Sequence, residues 1–574
     1  MSRLGVLLGL AFAAAGCAVP YNAPLPVEQT DTCSSADDCG TGAACTNGVC
    51  VATEVSLPGL ELEVIPDSNA PYGASTSFLF PLAGETPLTL SAENTTPFAA
   101  VFDPDLPPPL AISGGTFTLT TGMAEPSCSL VNGSLPGTIT FYPIPPFTGP
   151  SVVPVVAMTT TATSVGNTFD ANLVAPGLYD VYIQPQAVAG CNGGAAVPPV
   201  FLPKSQITSG APSWSLPMVG TLTGTITDFG AKGWTAALVE PSRGLTVSSE
   251  APLACHHGAC SLTLQFARDD KTVQPVPILR LTPPSTAPDE PTIYWTLAST
   301  PLTPGASAAF STQGLLVNPV GVSLTVTDTA GVTGIPAALS IQSTTLSGTV
   351  QQNAAFQIEG ALTKANGKYI LALPPGTYDV RAFPIDGLLG VTETTITVSS
   401  GCACDFTLPL QPKLSVTGTV TTPLGDPVAN AQVGFTPSQT AMTSYWTNTH
   451  TLDAVAVQVA AATTDSDGNF ALMVDQGSSD LTVQPDPGSG FPWLVQPALT
   501  VQTAPPPLSL ALQSPAVLQG IVRDPSGMPV ANAVVNAWFP LTDASSVATG
   551  TAVQIATTST GADGSYTLLL PPSP

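Results

Sequence analysis

The chain has 574 residues, of which 12 are Lys or Arg and 38 are Asp or Glu, so 9% are charged and the formal net charge is −26. An ordinary soluble domain is about 25% charged. So few cations exclude a surface that tracks phosphates, which needs clustered Lys and Arg, and no nucleic-acid partner is expected. The length allows about four domains of roughly 150 residues. Gly (51) and Pro (61) stay below the ~25–30% that marks a chain without a fold.

Residues 1–16 hold Arg3 and then an apolar run from Leu4 to Ala15, the pattern of an export signal and too short to span a bilayer. The run ends in Ala14-Ala15-Gly16-Cys17, which resembles the lipobox of bacterial lipoproteins, with Ala14 where that pattern has Leu. The resemblance implies a diacylated Cys17 as mature N-terminus and the lipid as the membrane anchor. Ala18, where lipoproteins kept in the inner membrane carry Asp, points to an outer-membrane lipoprotein on the surface or periplasmic face. Residues 17–32, with Pro20, Pro24 and Pro26, read as a stiff tether.

Setting Cys17 aside leaves ten of the 11 Cys, in local sets: Cys33, Cys39, Cys45 and Cys50; Cys128 and Cys191; Cys255 and Cys260; Cys402 and Cys404. Residues 33–51 are too small and polar to build an apolar core, so two disulfides are expected to hold them as a knot, their connectivity open. Zinc would want C-x-x-C spacing and a reducing compartment, and no metal is expected.

Beyond residue 55 the chain is rich in Val, Thr and Leu in period-two runs bounded by turn residues, the mark of half-buried strands. Two units repeat. Gly418-Thr-Val420 leads to Pro427-Val-Ala-Asn-Ala-Gln-Val433, and Gly520-Ile-Val522 leads to Pro529-Val-Ala-Asn-Ala-Val-Val535. Each then reaches a turn and a strand, Asp467-Gly468-Asn-Phe470 and Asp563-Gly564-Ser-Tyr566. Asn366-Gly367-Lys-Tyr369 with Pro375-Gly376-Thr-Tyr378 marks an earlier unit, and Pro176-Gly177-Leu-Tyr179 a still earlier one. Asp-Gly and Asn-Gly supply positive φ for tight turns, and the Tyr after Pro-Gly is expected to bury its ring and bond its hydroxyl to backbone.

This pattern resembles the carboxypeptidase regulatory-like domain, a transthyretin-like seven-stranded β-sandwich. The resemblance covers 316–411, 414–512 and 516–574, and more weakly 131–205. Residues 55–130 and 218–310 read as β-rich modules in which the signature is not placed. The expected fold class is all-β, tandem antiparallel β-sandwich modules after a small disulfide-rich segment. Residues 516–574 stop at Leu570-Pro-Pro-Ser-Pro574, where the family pattern wants one more strand; a missing last strand, through truncation or an open edge, is expected there.

The catalytic inventory is sparse. The three His (His256, His257, His450) form no H-E-x-x-H, and G-x-S-x-G is absent, so no catalytic residue and no cofactor is expected. Cys255-His256-His257-Gly-Ala-Cys260 reads as a disulfide rather than a metal site, Asp465-Ser-Asp467-Gly468 as a turn rather than a calcium loop, and Cys402-Ala-Cys404 as a structural bridge or cross-links to other Cys. Alternation puts Trp538 on an outer face with Val534 and Asn536, so Trp538 and Trp446 are the candidate glycan contacts. The expected function is a lipid-anchored structural or adhesive envelope protein, not an enzyme, with envelope proteins or glycans as partners. The alternative is a carbohydrate- or polymer-binding module assisting an envelope hydrolase.

Overall fold

The computed structural model describes residues 33–573 apart from 36–37, 40–41, 47, 68–76, 82–87, 94–98, 109, 119–136, 145–154, 164–165, 174–176, 186–197, 208–210, 216–218, 228–232, 242, 268–276, 288–289, 298–301, 304, 314–318, 348–353, 386, 439–457, 503–505 and 543–547. Cys17, Cys128, Cys191, His450 and Trp446 lie outside the described residues. The fold is all-β, with tandem antiparallel sandwiches after a disulfide-rich hairpin, Ala43–Thr46 paired with Val49–Ala52. Among the described residues no helix is long and apolar enough to cross a membrane.

The sandwich of residues 414–512 shows the plan. Its three-stranded sheet is ordered Asn469–Val474, Leu414–Thr421, Leu508–Ala511, and its four-stranded sheet Ala460–Thr463, Gln432–Pro437, Gly477–Gln484, Leu494–Val501. The first and last strands lie side by side and run parallel, Gly418 to Thr421 beside Leu508 to Ala511. Alternation sends Val416, Val420, Val433, Phe435, Phe470, Leu472, Leu481 and Val483 into one core between the sheets.

Five sandwiches follow this plan. In each, first and last strands are parallel: Leu110–Thr118 with Ser213–Ser215, Val219–Thr227 with Ser307–Gln313, Val320–Thr327 with Cys404–Pro409, and the pair just given. The signature-free stretch 218–310 is thus a sandwich of the same plan. The weak unit at 131–205 is wider than expected. It begins at Leu110, because the strand Leu110–Thr118 pairs with Gly166–Leu173, and it ends with Ser213–Ser215.

The fifth sandwich corrects two expectations. Residues 516–570 contribute four strands, Ala516–Ile521, Val534–Thr542, Ala548–Ser559 and Ser565–Leu570. The remaining four come from the other end of the chain: Glu54–Ile65 pairs with Val534–Thr542, Phe78–Phe80 and Leu88–Glu93 each pair with Glu54–Ile65, and Ala99–Val101 runs parallel beside Ala516–Ile521. The last strand is therefore present, donated by residues 99–101. Residues 55–130 are not one module, because their first half completes the C-terminal sandwich and Leu110–Thr118 opens the next. The physical reason is the core. Val55, Leu57, Leu60, Leu62, Val64, Phe78 and Phe80 are buried with Leu518, Val535, Ala537, Ile555, Tyr566 and Leu568. Each such side chain is worth about 1.5–3 kcal/mol when buried, so neither half is stable with that face in water.

Leu62 is fully buried in the donated strand. Leu62→Ala should cost about 2–5 kcal/mol and speed amide exchange in residues 534–559, more than 470 positions away in sequence. Exchange that changes in residues 54–101 alone would contradict the shared core.

Candidate functional site

The C-terminal sandwich is joined head to tail by polar groups as well as by its core. On the strand Glu54–Ile65, alternation points Leu60, Leu62 and Val64 inward and Glu61 and Glu63 to the opposite face. Glu63 is 2% exposed, and its Oε2 accepts from Asn536 Nδ2 and Trp538 Nε1, each at 3.0 Å. Asn536 Oδ1 in turn accepts from Gln554 Nε2 at 3.1 Å and Thr557 Oγ1 at 2.7 Å. Burial pushes the Glu63 carboxyl up, opposed by its bonds to Asn536 and Trp538 and by Ser77. Burial alone pushes Glu61, opposite Trp538 in the pairing, up to about 7.

Further bonds lock the same joint. The Tyr566 hydroxyl donates to the Phe102 carbonyl at 2.7 Å, Ile521 N–H to Asp103 Oδ1 at 2.9 Å, and Leu106 N–H to the Arg523 carbonyl at 2.9 Å. Gly520 has no room for a side chain there: a Cβ would meet the Phe102 carbonyl and lie 3.0 Å from the Tyr566 ring. Between the knot and this joint opens a cleft of about 800 Å³ lined by Cys39, Glu54, Ser56, Ser91, Gln513 and Pro572. No His lies on its wall, and Cys39 is held in a disulfide.

The other modules are also joined by specific contacts. Arg243 Nε meets Asp180 Oδ2 at 2.7 Å with its guanidinium 4.8 Å over the Tyr142 ring, and the Tyr182 hydroxyl donates to the Thr246 carbonyl at 2.8 Å. The strand Thr292–Thr296 pairs antiparallel with Ala354–Leu362, so two sandwiches share one eight-stranded sheet. Asp475 Oδ1 accepts from Val391 N–H at 3.2 Å, and its Oδ2 from Gln458 N–H at 2.7 Å. Val495 enters the core of the C-terminal sandwich.

The sequence-singled residues fall as follows. Cys33 pairs with Cys45 and Cys39 with Cys50, at Cα separations of 5.7 and 5.3 Å. The Cys33, Cys39 and Cys50 sulfurs cluster as a metal site would, but each is spent in a disulfide. Cys255 pairs with Cys260, and Cys402 with Cys404. His257 and Gly258 have φ of 50° and 81°, so His-Gly makes the turn before the strand Ala259–Ala267. Asp-Gly does this in the neighbouring repeats, and buried Cys260 takes the aromatic position two residues after the Gly. Asp465 Oδ1 accepts from Asp467 and Asn469 N–H at 3.0 and 2.8 Å, bonds that hold its carboxyl below the usual range and commit it to the turn.

Trp538 does share its face with Asn536, but its N–H is committed to Glu63 of the donated strand paired alongside. Trp214 stacks on Phe169 with centroids 5.7 Å apart, Trp234 donates to Glu290 Oε2 at 2.9 Å, Trp295 is buried beside Phe310, and Trp493 packs on the C-terminal core. Tyr378 is buried with its hydroxyl donating to the Pro374 carbonyl at 2.7 Å, as the Pro-Gly-x-Tyr spacing predicts.

Sequence reasoning missed two signals. Leu57-Pro58-Gly59-Leu60 lies inside the donated strand, where Gly59 takes a φ of 73° and the pairing with Leu88–Glu93 shifts register. Thr464 and Thr560, in the pattern T-x-x-[DN]-G, pin the repeats. Thr464 Oγ1 accepts from Ala431 N–H at 2.8 Å and donates to the Val428 carbonyl at 2.7 Å; Thr560 does the same for Ala533 and Val530. This holds Asn430 and Asn532 at φ of 59° and 55°, the reason Pro-Val-Ala-Asn-Ala repeats. Thr363 accepts from Ala337 N–H likewise.

No family model matches the chain, and no curated protein matches it. Among solved structures it is similar to a streptococcal ancillary pilin (11% identity, 52% of this chain and 99% of that one, TM-score 0.21). It is also similar to the Bacillus anthracis TIE protein (13%, 66% and 68%, TM-score 0.16) and to GBS52, the minor pilin of Streptococcus agalactiae (12%, 34% and 95%, TM-score 0.20). Scores this low carry no argument about function.

Two outcomes follow from the geometry. Thr464→Val leaves the buried Ala431 N–H without an acceptor and should cost about 1–3 kcal/mol in chemical denaturation; a loss within ~0.5 kcal/mol would contradict the pin. Because the folded state holds the Glu61 proton up to about 7 against an ordinary 4.5, stability should fall as pH rises from 4.5 to 7 and level off above. Discounted for partial exposure, the span is about 1–2 kcal/mol. Glu61→Gln should reduce that slope in melting curves taken across the range, leaving what the buried Glu63 contributes, and an unchanged slope would place its source elsewhere.

Proposed function

We propose that the chain is a lipid-anchored cell-envelope protein, structural or adhesive in role and not catalytic, whose sandwiches form a scaffold reaching out from the membrane and back. The observation that carries this reading is the completion of the C-terminal sandwich by residues 54–101, which follow the disulfide knot directly. Both halves of that sandwich then adjoin the disulfide knot, where Thr53 N–H donates to the Gly42 carbonyl and Ala52 N–H to the Pro515 carbonyl. The surface presented farthest from the membrane is accordingly that of the middle modules, 219–409, rather than the C-terminus.

Three further features support it. Ala14-Ala15-Gly16-Cys17 resembles a lipobox, and Ala18 favours the outer membrane. The repeats resemble carboxypeptidase regulatory-like domains, which serve as non-catalytic modules. The polar side chains described above are spent on turns and joints, which suits a scaffold. The five described Trp are engaged in packing or hydrogen bonds, so nothing in their placement favours the glycan-binding alternative.

Fractionation with protease shaving of intact cells tests the proposal. Wild type should be membrane-bound and shaved, and Cys17→Ser should be released. Release of both proteins would sink the anchor.

A further inference from the structure

The head-to-tail joint has a property that an ordinary module boundary lacks: its two halves lie at opposite ends of the chain. The side-chain hydrogen bonds across it connect residues 418 to 475 positions apart, whereas the described disulfides span 12, 11, 5 and 2. No described disulfide crosses the joint. Residues 54–101 supply four strands and eight buried apolar side chains, and residues 516–570 supply four strands. Nothing in the contacts depends on the two halves belonging to one molecule.

We propose that this joint is exchanged between copies, so that residues 54–101 of one chain complete the 516–570 sandwich of another and link copies head to tail. The partner is a second copy of this chain, recognised by the same register: Glu61 to Ile65 against Trp538 to Val534, Val517 to Gln519 beside Ala99 to Val101, and Glu63 on Asn536 and Trp538. Closed and exchanged forms make identical contacts, so the balance is set by effective concentration alone. Before the intervening modules fold, a loop of over 400 residues closes with roughly 30-fold lower effective concentration than one of about 40, by the three-halves power of length. Synthesis order adds to this. The apolar strands at 54–65 and 78–80 are complete long before residues 516–570 exist, and in that interval the C-terminal half of any finished neighbour is an equal partner. The proposal does not depend on lipid anchoring, although anchoring would crowd copies and favour it.

The test uses Val101→Cys and Gln519→Cys, register partners that are both exposed, so neither change touches the core. The two single variants, carrying different tags, are unfolded together and refolded at concentrations from about 1 µM to about 1 mM. The 101–519 disulfide is then identified by peptide mass. Exchange predicts a linked heterodimer whose yield rises about tenfold or more across the series. The double variant should close within the monomer at the dilute end. A double variant that closes within the monomer, with no heterodimer at any concentration, would overturn the proposal. No 101–519 disulfide in either experiment would overturn it too, and the joint with it.

Discussion

A sandwich with only its four C-terminal strands leaves half a core in water, and the placement of every other module depends on how that deficit is met. Residues 516–570 meet it with strands from residues 54–101. Eight buried aliphatic and aromatic side chains cross the joint, and the hydrogen bonds of Glu63, Tyr566 and Asp103 fix its register. The result is a chain whose covalent order is linear but whose packing order is circular. Each of the other four sandwiches is contiguous in sequence and is held between neighbours.

The low charge follows from the same construction. A protein made of sheets that pack on sheets uses few Lys and Arg. Arg243 bridges Asp180 and Tyr142 across two sandwiches, and Arg381 meets Glu393 on the neighbouring strand within one. Buried carboxylates appear in the same places. Asp475 accepts from both sides of a boundary, and Glu63 holds two donors from the opposite end of the chain. Polar specificity is concentrated at the joints, while the modules themselves are held by apolar burial and turn geometry.

Much of this was legible in the sequence, for local reasons. Asp-Gly turns, Pro-Gly followed by Tyr378, and the repeated Pro-Val-Ala-Asn-Ala all encode structure within a few dozen residues, and they fall in the sheets built from residues 320–409, 414–511 and 516–570. The sandwich at 219–313 escaped because its turn is His257-Gly258 and its core position is Cys260, so a disulfide stands where the repeats have an aromatic ring. The split sandwich escaped for a different reason. The alternation from Leu60 to Ile65 does read as a strand, but nothing in that local pattern says that its partner lies at Val534 to Trp538. Alternation specifies which face of a strand is buried and is silent about what lies beside it. For the same reason the outward direction of Trp538 was legible and the Glu63 carboxylate that accepts from its N–H was not.

The central claim is that the two ends of the chain form one sandwich. The most direct measurement is the distance between spin labels at Val101 and Gln519 in dilute, monomeric protein. Neighbouring strands are about 4.8 Å apart, so the labels should report a single short distance, within about 20 Å once their own length is added. If the modules instead formed an open string with unjoined ends, the labels would lie beyond about 50 Å or show a broad distribution, and the account of a closed chain would be wrong.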